Sequence, residues 1–319
     1  MQTILRDRTK SIGASEVAAI FGLDPRTSAY EVWARKRGIM PEKESTPEMA
    51  RGLKLEAQIH IELAAMLEIS PSDIEQQVFL AHPEFEFVTA TLDFLLRSVP
   101  AAWEAKTTGH FTAKDWGPGP ADVPPAAALQ NTYQRALAKL VIGVEVSGGL
   151  LHYPVEKMEI QPFPLKYDAE LGDMLIEGAV KFWKDHVETG VPPAVTGTTR
   201  EAEAFKKLYA KATPGVIMVA SEATDALVLD ALESLKACTV ADKEHERRCL
   251  LIKEAMADAE KLVLSDGREL VWKNSKGSVS WKNVASELNP SPELIAKHTP
   301  EVGPRPFNLK SLLGKDEDA

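Results

Sequence analysis

Cysteine is almost missing from this sequence: two residues in 319, Cys238 and Cys249, both in its last third. Two thiols give no disulfide framework, and they fall short of the four thiolates an iron–sulfur cluster usually takes. A reducing cytosol is therefore the expected compartment. No run of eighteen apolar residues occurs, so no membrane span is expected. Met1–Lys10 is polar and charged and holds no apolar stretch of the signal-peptide kind. Internal repeats are absent as well. Positive charge is in deficit, with 37 Lys and Arg against 47 Asp and Glu and a net charge of −10. That balance argues against a chain that coats nucleic acid non-specifically. It leaves room for a local grip, because carboxylates gathered to hold a metal add negative charge of their own.

What is present is ordinary globular material, 44% hydrophobic and 26% charged, enough for one large domain or two modest ones. The N-terminal segment is comparatively basic, through Arg6, Arg8, Lys10, Arg26, Arg35, Lys36 and Arg37. It is either a phosphate-contacting surface or a solvated charged face. Ser15 is placed to cap a short helix ending near Gly22, and Ser28 a second one ending at Gly38. After a loop rich in Pro and Glu, from Pro41 to Pro47, Met49, Leu53, Ile59, Leu63 and Leu67 mark a helix over Glu48 to Leu67.

The period then changes. Gln77–Leu80, Phe87–Leu96 and Trp103–Thr107 read as three strands. Pro125 opens a helix that runs through Leu140. Gly148–Val155 and Met158–Phe163 pair as a hairpin, and Asp168–Val187 is an amphipathic helix. The alternation predicts an α/β or mixed α+β sheet flanked by helices, in a domain spanning 1–195. Residues 196–319 form a mainly helical extension: a helix over Thr199–Lys211, one or two long helices over Ser221–Leu262, and a hairpin pairing Glu269–Trp272 with Ser278–Trp281 around Ser275-Lys276-Gly277. Asp266-Gly267 is a turn signal. The acidic tail Lys315–Ala319 is expected to be disordered.

Glu104-Ala105-Lys106 lies on the third strand, where residues two apart share a face. Glu104 and Lys106 then point the same way, and Asp93 on the preceding strand can approach Glu104 across a hairpin ladder. Two carboxylates and an ammonium in one place suit phosphodiester hydrolysis. Magnesium takes oxygen ligands, often one or two carboxylates with waters and substrate phosphate. A lysine beside it can orient the attacking water or stabilise developing negative charge. The Ala105 carbonyl is a further candidate ligand. Glu56 can reach the site from the preceding helix, where Gly52 marks a close approach, and Gln130 from the following one. A solvent-facing ion pair at Glu104 and Lys106, a surface Glu56 and an exposed helical Gln130 are the plain alternatives.

These elements, in this order, resemble the YqaJ-type viral recombinase family, relatives of the phage lambda exonuclease among the PD-(D/E)xK nucleases. The resemblance runs over roughly residues 6–193. It is carried by Arg8, Ile12-Gly13-Ala14-Ser15-Glu16, Gly52 with Glu56, Asp93, Glu104 with Lys106, Gln130 with Tyr133, and Phe182-Trp183 followed by Pro192-Pro193. Trp281-Lys282 and Arg305-Pro306-Phe307 are similar to extensions in phage members. It implies a restriction-endonuclease-like PD-(D/E)xK core. Asp93, Glu104 and Lys106 would form the site for one or two Mg2+ or Mn2+ ions, assisted by Glu56 and Gln130. Arg8 and Ser15 would bind a DNA 5′-phosphate. Where the family has Pro-Asp-Gly, this chain has Leu92-Asp93-Phe94, so the strand is expected to continue through Phe94.

The resemblance implies a 5′→3′ exonuclease on double-stranded DNA ends, producing single-stranded overhangs for phage-type recombination in a bacterial cytoplasm. It also implies a single-strand annealing protein as partner and a ring-like homo-oligomer such as a trimer. The competing expectation is a non-catalytic DNA-end binder or assembly protein on the same fold. A related iron–sulfur nuclease is disfavoured by the cysteine count.

Overall fold

The computed structural model describes residues 7–41, 46–274 and 277–299. The chain divides into two compact units, Met1–Tyr209 and Ala210–Ala319.

The first unit opens with helices α1 (Ala14–Ile20), α2 (Ala29–Lys36) and α3 (Pro47–Met66). Strands β1 (Ile74–Ala81), β2 (Thr89–Leu96) and β3 (Ala101–Thr108) follow, then a short helix α4 (His110–Ala113) and a long one, α5 (Pro125–Ile142). Strands β4 (Ser147–Pro154) and β5 (Gln161–Pro164) come next, then helices α6 (Ala169–Phe182) and α7 (Thr199–Leu208). The five strands form one sheet in sequence order. Only the β3–β4 pair is parallel, and α5 makes the crossover that such a pair requires. The result is the expected mixed sheet flanked by helices.

Two cores sit on opposite faces. The larger holds Ile12, Val17, Tyr30, Trp33, Tyr133, Leu137 and Leu175 around α1, α2, α5 and α6. The smaller packs Ile59 and Leu63 of α3 on Phe94, Leu96, Leu151 and Tyr153. Strand alternation does not run unbroken between them. Leu92 faces the larger core, yet Phe94, two residues on, faces the smaller one. In β1, Leu80 faces the larger core and Ile74 the smaller. A regular pleat would keep each pair on one side. The break coincides with Gln77, whose φ is 52°, and with the one missing pair, Gln77 with Asp93, in a β1–β2 register otherwise continuous from Ile74↔Leu96 to Ala81↔Thr89.

Several local expectations change. Ser15 does not cap α1; Gly13 holds that position, and the Glu16 carboxylate accepts from its N–H at 3.0 Å. Ser28 does cap α2. Met49 and Leu53 are exposed, so only the second half of α3 presents a core face. Arg35 and Lys36 are buried rather than part of a phosphate-facing surface. Lys36 pairs with Glu16 at 2.7 Å and donates to the Arg8 carbonyl at 2.7 Å. The first unit extends beyond the expected boundary at 195, because α7 buries Ala204 and packs the Phe205 ring against Tyr30 with centroids 4.8 Å apart.

In the second unit, Ser221 caps a single long helix α8 (Glu222–Met256), within the expectation of one or two. Strands β6 (Lys261–Val263) and β7 (Glu269–Val271) pair around Asp266-Gly267, with Gly267 at φ 85°. The hairpin thus lies one turn earlier than expected, and Trp281 begins helix α9 (Trp281–Leu288), followed by α10 (Pro292–His298). The Asp-Gly turn supplies the left-handed residue that a tight hairpin needs. Arg6, Ser275-Lys276, Arg305-Pro306-Phe307 and the acidic tail lie outside the described residues. Among those described, no helix is long and apolar enough to cross a membrane.

Gly148 secures the parallel pair. Its φ is 119°, and a Cβ there would lie 2.0 Å from the Ala102 carbonyl oxygen. Gly148→Ala is expected to destabilise the first unit by about 2–4 kcal/mol, from left-handed strain and overpacking together. Denaturant titration followed by tryptophan fluorescence measures it, and an unchanged midpoint would contradict the packing described.

Candidate active site

Asp93 lies where β2 and β3 part. Their pairing runs Leu96↔Ala101, Leu95↔Ala102, Phe94↔Trp103 and stops. The next pair would join Asp93 to Glu104. Instead the Asp93 carboxylate accepts from the Ala105 N–H at 2.9 Å, standing in for a strand partner. Ala105 thus contributes its N–H to the site. Phe94 keeps β2 extended, as expected, and stacks beneath His60 with ring centroids 5.9 Å apart.

Glu104 is buried and fully engaged. Its Oε1 accepts from Lys106 Nζ at 2.7 Å and from Gln130 Nε2 at 2.6 Å, and its Oε2 accepts from Gln134 Nε2 at 2.6 Å. Lys106 also donates to Gln130 Oε1 at 2.8 Å. Glu104, Lys106 and Gln130 therefore form a closed triangle, with the lysine held on the same strand face as the glutamate. The exposed-ion-pair and exposed-Gln alternatives do not describe these side chains. Gln134 also donates to the Thr91 carbonyl at 3.0 Å, tying α5 to β2.

Glu56 reaches the same place from α3. Gln77 Nε2 lies 3.0 Å from Glu56 Oε2 and 3.4 Å from Asp93 Oδ1. Close approach of α3 to β3 is what Gly52 permits: a Cβ there would meet Thr107 Oγ1 at 3.1 Å. Beside it opens a cavity of about 350 Å³ lined by Met49, Leu53, Glu56 and Ala105. Arg8 Nη2 donates to Ser15 Oγ at 3.3 Å on an exposed face, so the structure brings that expected pair together.

Burial, then the Glu104 and Glu56 charges, push the Asp93 carboxyl well above the ordinary range, against the pull of Lys106 and the Ala105 N–H. Glu56 is also raised, by burial first and Glu104 after the Gln77 hydrogen bond is set against it. Asp93 and Glu56 lie in a site of surplus negative charge, which is the condition a divalent cation relieves. Among the described residues no group of three or more His, Cys, Asp or Glu side chains stands close enough to enclose an ion. Magnesium does not require that, since it keeps several waters and binds through one or two carboxylates and substrate phosphate. The donor set fits such an ion.

Two functional side chains were not picked out from the sequence. Gln134 follows Gln130 by four residues, the spacing that places both on one helix face, and this was the available signal. Gln77 gave none, because its place depends on strand register and a left-handed backbone. A non-glycine residue held there costs about 1–3 kcal/mol, and such outliers cluster at functional sites.

Residues 4–140 match the model described as the YqaJ-like viral recombinase domain. That stretch includes Arg8, Ser15, Glu56, Asp93, Glu104, Lys106 and Gln130. The uncharacterized protein YqaJ of Bacillus subtilis (strain 168) is 28% identical over 256 residues, covering 80% of this chain and 72% of that protein. A match of that length exceeds the first unit and runs into the second. Among solved structures, an alkaline exonuclease from Laribacter hongkongensis is 16% identical with a TM-score of 0.44, covering 62% of this chain and 96% of its own. A putative exonuclease from Eubacterium rectale is 10% identical with a TM-score of 0.45, covering 71% and 98%.

Asp93→Asn is expected to stabilise the metal-free protein at neutral pH. With its folded pKa raised, Asp93 holds its proton to higher pH folded than unfolded, so its ionisation lowers stability as pH rises. The asparagine removes that penalty, and its advantage should shrink as pH falls toward the ordinary carboxylate range. Melting curves across pH measure this, each kcal/mol appearing as about 2–4 °C. A lower melting temperature for the variant at neutral pH would contradict the repulsion described.

Proposed function

We propose that this chain is a divalent-metal-dependent DNA exonuclease that digests double-stranded ends 5′→3′ and leaves single-stranded overhangs for recombination. One observation carries the reading: the Glu104–Lys106–Gln130 triangle stands beside Asp93 where two strands part. A purely structural ion pair gains little from a second and third carboxylate placed against it.

Each side chain has a task. Asp93 and Glu104 would hold Mg2+ or Mn2+, with Glu56 available for a second ion. A bound ion of this kind polarises the scissile phosphoryl group and makes water a stronger nucleophile at neutral pH. The Lys106 ammonium, held by Glu104 and Gln130, is aimed to orient the attacking water or to stabilise charge as it develops on the phosphate. Gln130 keeps the ammonium in place without adding charge. Gln134 fixes the remaining Glu104 oxygen. Arg8, with guanidinium donors beyond the one given to Ser15, suits a terminal phosphate, which it can meet in a fork. A 5′-phosphate held there would set the polarity of digestion.

The wider proposal follows the family resemblance: duplex DNA as substrate, a ring-like homo-oligomer such as a trimer around it, a single-strand annealing protein as partner, and the cytoplasm of a bacterial host. Phe94 in place of glycine favoured the non-catalytic alternative. Yet the Asp93 carboxylate still meets the Ala105 N–H, so the departure leaves the carboxylate in position.

Linear 5′-phosphorylated duplex DNA incubated with magnesium should be degraded by the parent protein. Lys106→Ala should slow this by about 10²–10³-fold, the usual cost of losing one group that stabilises transition-state charge. Intact DNA with the parent protein across Mg2+ and Mn2+ would sink the enzymatic reading in favour of end binding. Arg8→Ala should slow digestion of 5′-phosphorylated ends more than 5′-hydroxyl ends, and equal effects on both would remove Arg8 from end recognition.

A further inference from the structure

Gln77 stands outside the recognised motif, yet it contacts two of the three carboxylates. Its backbone is left-handed at φ 52° in the middle of β1, a region that Gly or Asn enters more readily. Opposite it is Asp93, the only residue of β2 between Thr89 and Leu96 without a Cα partner in β1. Its Nε2 lies 3.0 Å from Glu56 Oε2 and 3.4 Å from Asp93 Oδ1. An asparagine is one methylene shorter, and glycine has no donor to offer.

We propose that Gln77 is a positioning residue for the divalent cation: its carboxamide gathers the Glu56 and Asp93 carboxylates side by side before the ion arrives. This rests on the metal-dependent reading above and deepens it. Glu56 extends from a helix and Asp93 from a strand, so no shared element holds their charges together. Left without a donor between them, the flexible Glu56 side chain would swing from Asp93 toward solvent. A lysine at this point would hold them but would carry a permanent charge against an incoming cation. The carboxamide is neutral. Its NH2 group satisfies both oxygens, can turn away when the ion takes them, and then offers Oε1 as an acceptor. Losing a partner that orients a ligand in this way typically costs about 10–100-fold in metal affinity.

Full-length protein titrated with Mn2+ in a calorimeter tests the proposal without reference to cleavage. Gln77→Leu removes the amide and keeps the bulk. Gln77→Gly removes it and suits the left-handed backbone, so the two separate the amide from the fold. Both should remain folded by circular dichroism and bind Mn2+ about 10–100-fold more weakly than the parent. The rate of DNA cleavage at saturating Mn2+ should fall by a smaller factor than the affinity. Parent-like affinity in either variant overturns the proposal while leaving the metal-dependent reading intact. A parent protein that binds no Mn2+ and cleaves no DNA with any metal overturns both.

Discussion

Burying one carboxylate beside another is unfavourable, and the first unit is arranged around that constraint. Asp93 is driven toward protonation by burial and by Glu104 and Glu56. The surrounding structure supplies donors in answer. The Ala105 N–H meets Asp93, three side-chain donors meet Glu104, and one amide spans Glu56 and Asp93. Nearly all are neutral; Lys106 brings the positive charge. Neutral donors reduce the repulsion without abolishing it, and the proposed cation would relieve what is left. A fully compensated cluster would be more stable and would have less to gain from metal.

The backbone bends to the same purpose. Phe94 occupies the place where the resembling family has glycine, and it continues β2 in an extended form. The left-handed residue is instead on the neighbouring strand, at Gln77. There the pleat of both strands changes side, so Leu92 and Phe94 enter different cores. Phe94 thereby anchors α3 to the sheet, and α3 carries Glu56. The substitution and the irregular neighbour read as one structural solution.

How much of this was legible in the sequence depends on how local each feature is. Glu104 and Lys106 share a face because strands alternate, and that could be read directly. Pro125 and Ser28 marked their helix starts by the chemistry of the first turn. The Asp93 neighbourhood needed register, and Gln77 needed a backbone state that no residue type announces. Gln134 was within reach through its four-residue step from Gln130. Apolar spacing overstated the buried face of α3, since Met49 and Leu53 border a cavity rather than a core. Basic residues misled in the other direction: Lys36 is charged and yet buried, because Glu16 and the Arg8 carbonyl meet it. In the second unit the Asp-Gly turn was visible, but the strand pairing was assigned to the wrong side of it.

The single parallel pair, β3 with β4, has a consequence in time. Strands β1, β2 and β3 are joined by short connections and can pair as they emerge from the ribosome. The β3–β4 pair must wait for α5 to be made and folded back across the sheet, and such non-local closures are slow. Gln130 and Gln134 travel on that same helix. Until it docks, Lys106 lacks one of its two anchors and Glu104 two of its three donors. The nascent chain therefore carries its carboxylates before α5 brings the donors that complete the site.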